Sequence, residues 1–372
     1  MVGGCLARNI PDTFAPDFME RTSEFPSVIG VMSGSSLDGI DLALCRFDRN
    51  GEHWSFAIEK AETVPLPGTL RERLLHATAA DALELARLHR DVGITIGTAC
   101  KEFRQGTEAA LIASHGHTVF HKPHEGLTTQ VGCGAHIAAR AGLPTVCDFR
   151  TMDVALGGQG APLVPFGERM LFPEHQAFVN LGGIANIALH RRGKTIGYDI
   201  CPCNQPLDLL AAAAGLPYDQ DGRLARSGSV DQALLAALNQ LDFYRLPPPR
   251  SLGREWFEER MLPLLETGLP LADRLRTVSE HLAMLIAGEL DRNAMATALF
   301  TGGGAHNGFL LERIAARCRT KPVLPPKELI DYKEAVIFAF LGLMRWKREV
   351  NTLASVTGAA RDSIGGAVYR PN

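Results

Sequence analysis

The feature that most constrains the fold is a pattern that occurs twice. A short apolar strand leads into a glycine turn, a second strand, a polar turn and a third strand. In the first copy the strands fall at 28–32, 40–47 and 54–58. Ser33-Gly34-Ser35-Ser36-Leu37-Asp38-Gly39 joins the first two, and Asn50-Gly51 makes the second turn. Asn-Gly between apolar runs is the strongest short hairpin signal. In the second copy, about 150 residues later, the strands fall at 177–181, 186–190 and 195–200, with Gly182-Gly183 in the first turn. Helical sequence follows each copy, at 69–109 and 206–241. Each half then returns to a strand ending in a polar glycine motif, Ser114-His115-Gly116 and Thr301-Gly302-Gly303-Gly304. The repeat is far too long for a solenoid. It predicts a duplicated α/β domain whose two copies face each other across a cleft lined by their glycine turns. Further helices are expected at 277–292, 307–317 and 334–347 from their apolar spacing. Leu246-Pro247-Pro248-Pro249-Arg250 reads as a rigid loop.

Composition supports this frame and removes several function classes. At about 150 residues per domain, 372 residues predict two domains or three. There are 37 glycines, about a tenth of the chain against a usual 7% or so. They have no collagen period and form no linker, so they cluster for a local reason. Lys and Arg total 38 and Asp and Glu total 41. That near balance argues against a nucleic-acid footprint and against a polybasic membrane surface. No apolar run approaches the roughly 18 residues of a membrane span. Residues 1–24 have no apolar stretch of the signal-peptide kind and read as an N-terminal extension. Eight cysteines are too few for a disulfide scaffold and read as reduced thiols in a cytoplasmic protein. Cys201-Pro202-Cys203 lacks the second half of a zinc site.

The glycine turns carry a chemical expectation. Backbone N–H groups can converge on an anion where no Cβ blocks the approach. Ser33, Ser35 and Ser36 add hydroxyl donors, and Asp38 supplies a carboxylate suited to hold Mg²⁺ through water. No Walker sequence is present. A single such turn reads equally well as a tight hairpin; Gly182-Gly183 and Gly302-Gly303-Gly304 tilt the reading toward a two-sided phosphate clamp. Asp199 ends the third strand of the second copy. It is placed either to act as a general base in the cleft or to cap the turn that follows. His115, His117, His121 and His124 match no metal-binding pattern and read as a strand-end loop lining a polar pocket.

Taken together, these residues resemble the anhydro-N-acetylmuramic acid kinase family, within the actin/Hsp70/hexokinase-like sugar kinases. The resemblance runs from Val28 to Tyr369. It rests on residues 30–41, on Ser114-His115-Gly116-His117-Thr118, on 148–153, on Gly157-Gly158-Gln159-Gly160-Ala161-Pro162-Leu163 and on 180–186. Residues 302–307, Glu334-Ala335, 338–340 and 355–359 complete it. The resemblance implies two duplicated actin-like, ribonuclease H-like domains around a deep cleft. The first would be 25–147 with about 350–372, the second 148–349. It implies that ATP with Mg²⁺ binds at Ser33, Gly34, Ser35, Ser36, Leu37, Asp38, Gly39 and Ile40, with Gly182, Gly183, Asn186, Gly302, Gly303 and Gly304. The sugar would lie against Ser114, His115, Gly116, Thr118, Gln130, Arg150, Asp153 and Glu334. The family's catalytic Asp falls on Asp199. The implied reaction opens the 1,6-anhydro bridge with water and phosphorylates O6. A homodimer is implied as well.

Some positions depart from the family's pattern. Cys201-Pro202-Cys203-Asn204 stands where the family has Gly-Pro-Gly-Asn, which predicts a reshaped turn. Ser35, His117 and Cys133 replace Thr, Gln and Asn. Two other readings fit these residues: a kinase of another anhydrosugar such as levoglucosan, and an actin-like clamp that closes on ligand without transferring phosphate.

Overall fold

The computed structural model describes residues 25–34, 37, 39–191, 194–248 and 250–371. Ser35, Ser36 and Asp38, and the extension 1–24, lie outside the described residues. In the first half, strands β1 (Ser27–Met32), β2 (Gly39–Asn50) and β3 (His53–Pro65) form an antiparallel meander. Then come β4 (Ala109–Ser114), the separate hairpin β5 (His117–Lys122) and β6 (Leu127–Val131), and β7 (Thr145–Cys147). The second half repeats the plan with β8 (Ala177–Leu181), β9 (Ile184–Arg191), β10 (Lys194–Pro202), β11 (Thr297–Thr301) and β12 (Lys321–Val323). A last strand, β13 (Ala367–Tyr369), returns to β7.

The sheet orders make the duplication explicit. One is β13-β7-β4-β1-β2-β3 and the other is β10-β9-β8-β11-β12. In both, a three-strand meander is extended by two strands that run parallel to its first strand. The expected strands are all present, though several run longer. The third strand of the first meander reaches Pro65 rather than residue 58.

Three apolar layers hold the halves. The outer layer of the first half packs Leu88, Val92 and Ile96 of helix Ala82–Phe103 on Ile29, Val31 and Leu42. That helix starts where the Asp81 side chain accepts the Glu84 N–H at 2.7 Å, an N-cap that satisfies one orphan donor. The outer layer of the second half packs Val278, Leu282 and Ile286 of helix Leu271–Arg292 on Val179, Ile187 and Phe300.

The middle layer belongs to helix Lys327–Lys347. Its Phe338 and Phe340 share one cluster with Val28 and Ala43 of the first sheet and with Phe178 and Leu299 of the second. The helix lies closest to β1, β2 and β4. A Cβ on Gly30 would fall 1.8 Å from the Ala335 carbonyl oxygen, so glycine is what lets β1 touch this helix. The sequence reading grouped this helix with the second unit. Its packing makes it a common buttress under both sheets.

Candidate active site

A cleft of about 890 Å³ opens where the two halves meet. Met32 and His121 line it from the first half, Arg150 from the segment that follows β7, Asn180, Asn186 and Asp199 from the second sheet, and Lys333 and Glu334 from the shared helix.

Strand pairing places the second-half groups. Asn180 on β8 pairs with Asn186 on β9, which pairs with Asp199 on β10. Three polar side chains therefore sit in one row across the sheet. The β10 register breaks between Asp199 and Cys201. Such a bulge re-aims a side chain, and because β10 runs on to Pro202, Asp199 lies inside the strand rather than at its end. Asp199 Oδ2 accepts the Leu252 N–H at 2.8 Å and the Ser251 hydroxyl at 3.2 Å. Its Oδ1 has no hydrogen-bond partner among the described residues. Burial raises the proton affinity of this carboxyl, while the Leu252 and Ser251 bonds and the Arg250 charge work against that rise. One oxygen is held and one is open, which suits a group that takes a proton.

The wall around Arg150 is a chain of satisfied groups. Arg150 Nε donates to His115 Nε2 at 2.8 Å, and His115 Nδ1 lies 3.0 Å from the Gly116 carbonyl. Arginine can only donate, so Nε2 accepts and Nδ1 carries the proton of a neutral imidazole. Burial pushes His115 well below its usual range, and the Arg150 charge pushes it the same way. Arg150 Nη1 donates to the Gly160 carbonyl at 2.7 Å. Burial pulls the guanidinium down to about 10, with Glu334 opposing.

Asp153 stands behind this wall, 1% exposed. Its carboxylate accepts Gly160 N–H and Thr357 Oγ1, each at 2.7 Å, so it holds the glycine turn rather than facing the cleft. Ser114 is buried, and its hydroxyl accepts the Gly116 N–H at 3.3 Å. Gln130 donates to Thr118 at 3.3 Å within the β5–β6 hairpin. Glu334 faces the cleft with no hydrogen bond among the described residues, and burial raises its proton affinity against the pull of Lys333 and Arg150.

The glycine turns divide into two groups. In the first, Ser33 is buried with its hydroxyl 3.4 Å from His117 Nδ1, and Leu37 N–H donates to the Gly34 carbonyl at 3.2 Å. Ile40 is a core side chain, so it can offer a ligand only its backbone. In the second group, the Gly183 carbonyl accepts Cys203 N–H at 2.7 Å and the Gly182 carbonyl accepts Asn204 N–H at 3.1 Å. Gly302 has a φ of +82°, and a Cβ there would fall 2.5 Å from Asn180 Oδ1. A Cβ on Gly304 would meet Asn204 Oδ1 at 2.8 Å. Gly182, Gly183 and Gly302 to Gly304 are thus brought together around Leu181 and Asn204, and none of them is among the residues that line the cleft.

The Cys201-Pro202-Cys203 turn needs no glycine. Neither cysteine has the positive φ that favours glycine, and both thiols are fully buried.

The family model for anhydro-N-acetylmuramic acid kinase matches residues 26–371. The chain belongs to the anhydro-N-acetylmuramic acid kinase family. It is 37% identical over 370 residues to the anhydro-N-acetylmuramic acid kinase of Vibrio cholerae, covering 92% of this chain and 98% of that one. It is 39% identical over 371 residues to that of Xanthomonas campestris pv. campestris, covering 92% and 97%. Among solved structures, a ROK family glucokinase from Streptomyces griseus aligns over 85% of this chain and 99% of its own, with 14% identity and a TM-score of 0.42.

Set within this kinase family, the cleft holds residues that the sequence did not single out. Ser251 and Leu252 fix Asp199, yet their segment carries only the signal of a proline-stiffened loop. Lys333 and Glu168 form an ion pair at 2.6 Å, each side chain 3% exposed, at the edge of the cleft. Glu168 Oε2 is buried without a hydrogen-bond partner. No local pattern announces a pair 165 residues apart in sequence. Among the described residues no helix is long and apolar enough to cross a membrane.

Proposed function

We propose that this enzyme uses ATP to convert 1,6-anhydro-N-acetylmuramic acid into N-acetylmuramic acid 6-phosphate, in the recycling of cell-wall peptidoglycan. The observation that carries the mechanism is the open Oδ1 of Asp199, facing a cleft shared with Glu334 and Arg150. In the proposed step, this oxygen takes a proton from water as the water oxygen bonds to the anomeric carbon. The bond from that carbon to O6 breaks. O6 then attacks the γ-phosphorus, and the bond to the β-phosphate oxygen breaks to release ADP. Arg150 and Glu334 orient the sugar, with Ser114, His115, Gly116, Thr118 and Gln130 shaping its pocket and Asp153 holding the turn behind it.

The nucleotide is assigned to the first turn, Ser33 to Ile40, and to the knot of Gly182, Gly183 and Gly302 to Gly304 with Asn186. Carboxylate and hydroxyl oxygens are the donors a hard cation takes. Asp38 is therefore proposed to hold Mg²⁺ through water, and the ion would neutralise phosphate charge. The two units proposed are 25–147 with 350–372, and 148–349, closing on the ligands to exclude bulk water. A homodimer working in the cytoplasm, where ATP is available, completes the proposal.

Coupled measurement of ADP release tests the activity. Release should depend on 1,6-anhydro-N-acetylmuramic acid and should be much slower with levoglucosan at equal concentration. Equal or faster turnover of levoglucosan would reassign the sugar. ATP hydrolysis that ignores both sugars would sink the kinase reading.

A further inference from the structure

A base with one open oxygen works only if that oxygen is held in place, and the surroundings of Asp199 show how this is done. Arg250 brackets its main chain. The Asp199 N–H donates to the Arg250 carbonyl at 2.9 Å, and Arg250 Nε donates to the Asp199 carbonyl at 3.1 Å. The next two residues, Ser251 and Leu252, hold the carboxylate itself. The rest of the guanidinium is held by further acceptors. It donates to the Leu246 carbonyl at 2.8 Å and to Glu289 Oε1 at 2.7 Å. The Arg250 and Glu289 side chains are 5% and 4% exposed. Glu289 also accepts the Tyr198 hydroxyl at 3.0 Å, so helix Leu271–Arg292 grips β10 through the residue just before Asp199.

A buried ion pair adds little net stability, since desolvation offsets its attraction. Here its geometry goes into fixing position. We propose that Arg250 and Glu289 are a positioning pair for Asp199. Arg250 fixes where the open oxygen points, and Glu289 sets how much of the Arg250 charge the carboxylate feels. This rests on the reading of Asp199 as the base.

The charges around Asp199 are few enough to give a signed prediction. Tyr198 and Cys201 flank it on β10, and burial pushes Tyr198 up to about 12 and Cys201 well above the usual thiol range. Both stay neutral at working pH. Helix Leu271–Arg292 contributes Glu289, to which Arg292 donates at 2.7 Å. Asn186, opposite on β9, is uncharged. The turn Ala354–Thr357, which also packs on β10, carries no charged side chain. Arg250 is thus the cation next to Asp199, and Glu289 is its counter-charge.

The test is steady-state kinetics against pH on the full chain carrying Arg250→Met, Arg250→Lys or Glu289→Gln. Arg250→Met should lower kcat about 100-fold, the order of loss for a misplacement of about 1 Å. The sugar KM should stay within about threefold, because ground-state contacts are untouched. Its acid limb should move to higher pH by roughly half a unit to one unit, since a favourable cation is gone. Glu289→Gln should move the limb to lower pH, because Arg250 then acts unneutralised. Arg250→Lys should keep the limb near its original place with an intermediate kcat.

Limbs that do not move, or that move the same way in Arg250→Met and Glu289→Gln, overturn the pairing. If Arg250→Met fails to give a cooperative melt, the downward shift in Glu289→Gln and the retained limb in Arg250→Lys decide alone. Asp199→Asn separates the two readings. Full activity there overturns the base and leaves the pair without a role. An inactive Asp199→Asn with unmoved limbs overturns only the pair.

Discussion

Across the cleft, Arg150 and Asp199 face the same space from opposite circumstances. On the Arg150 side, His115, Gly160, Asp153 and Thr357 form a continuous chain of hydrogen bonds in which each acceptor has a donor from the protein. On the Asp199 side, one carboxylate oxygen is held by two donors and the other is open. The first wall is pre-organised and its histidine is neutral, which suits binding a polar sugar without reorganisation. The second wall keeps one proton acceptor available in a partly dry place, which suits chemistry. On the proposed reading, the Arg150 side positions the sugar and the Asp199 side reacts with it.

The sharpest way to break that comparison is Asp199→Asn. The account predicts a fall in kcat of about 10³- to 10⁴-fold, the upper range for a lost general base. ATP affinity, followed by nucleotide titration, should change little. A loss below tenfold would place the chemistry elsewhere.

Lys333→Met comes next and acts on stability. It leaves Glu168 charged and buried without its partner, which should cost about 3–5 kcal/mol in denaturant unfolding. The double variant Lys333→Met with Glu168→Leu should recover most of that loss. Equal destabilisation in the single and double variants would show that the pair is not what matters.

Arg150→Met tests the binding wall. The sugar KM should rise by about 10- to 100-fold, with kcat falling less, because a ground-state contact is lost. A kcat loss matching that of Asp199→Asn with an unchanged KM would reverse the assignment of the two walls.

The smallest effect is expected from Cys203→Gly. Its φ of −123° places no demand for glycine. The variant should lose about 1–2 kcal/mol of stability through lost side-chain burial and added backbone freedom. Its kcat should stay within about twofold of the parent. A large gain in kcat would mean that the Cys-Pro-Cys turn limits the enzyme after all.

What could be read from the sequence follows the range of the interactions. The duplicated meanders were legible because strand pairing between neighbours is set by turns such as Asn50-Gly51 and by apolar runs. Asp199 reads from the sequence as a strand-end carboxylate, either a base or a turn cap, whereas β10 runs past it to Pro202. Its open Oδ1, set by a β-bulge and a loop about fifty residues further on, now favours the base. Asp153 looked like a ligand for sugar and turned out to be tied to Gly160 and Thr357, the latter 204 residues away in sequence. Arg250, Glu289, Lys333 and Glu168 escaped for the same reason, since each is defined by a partner remote in the chain. Helix Lys327–Lys347 was placed in the second unit by order along the chain, whereas Gly30 and Ala335 settle its packing against β1.

The central claim is that Asp199 drives a sugar-dependent phosphoryl transfer in this cleft. The most direct measurement is product analysis after incubating the chain and its Asp199→Asn variant with ATP and 1,6-anhydro-N-acetylmuramic acid. The account predicts one N-acetylmuramic acid 6-phosphate formed per ADP released by the parent chain, and neither product above background from the variant. ADP released without a phosphorylated sugar, or equal product from both proteins, would contradict it.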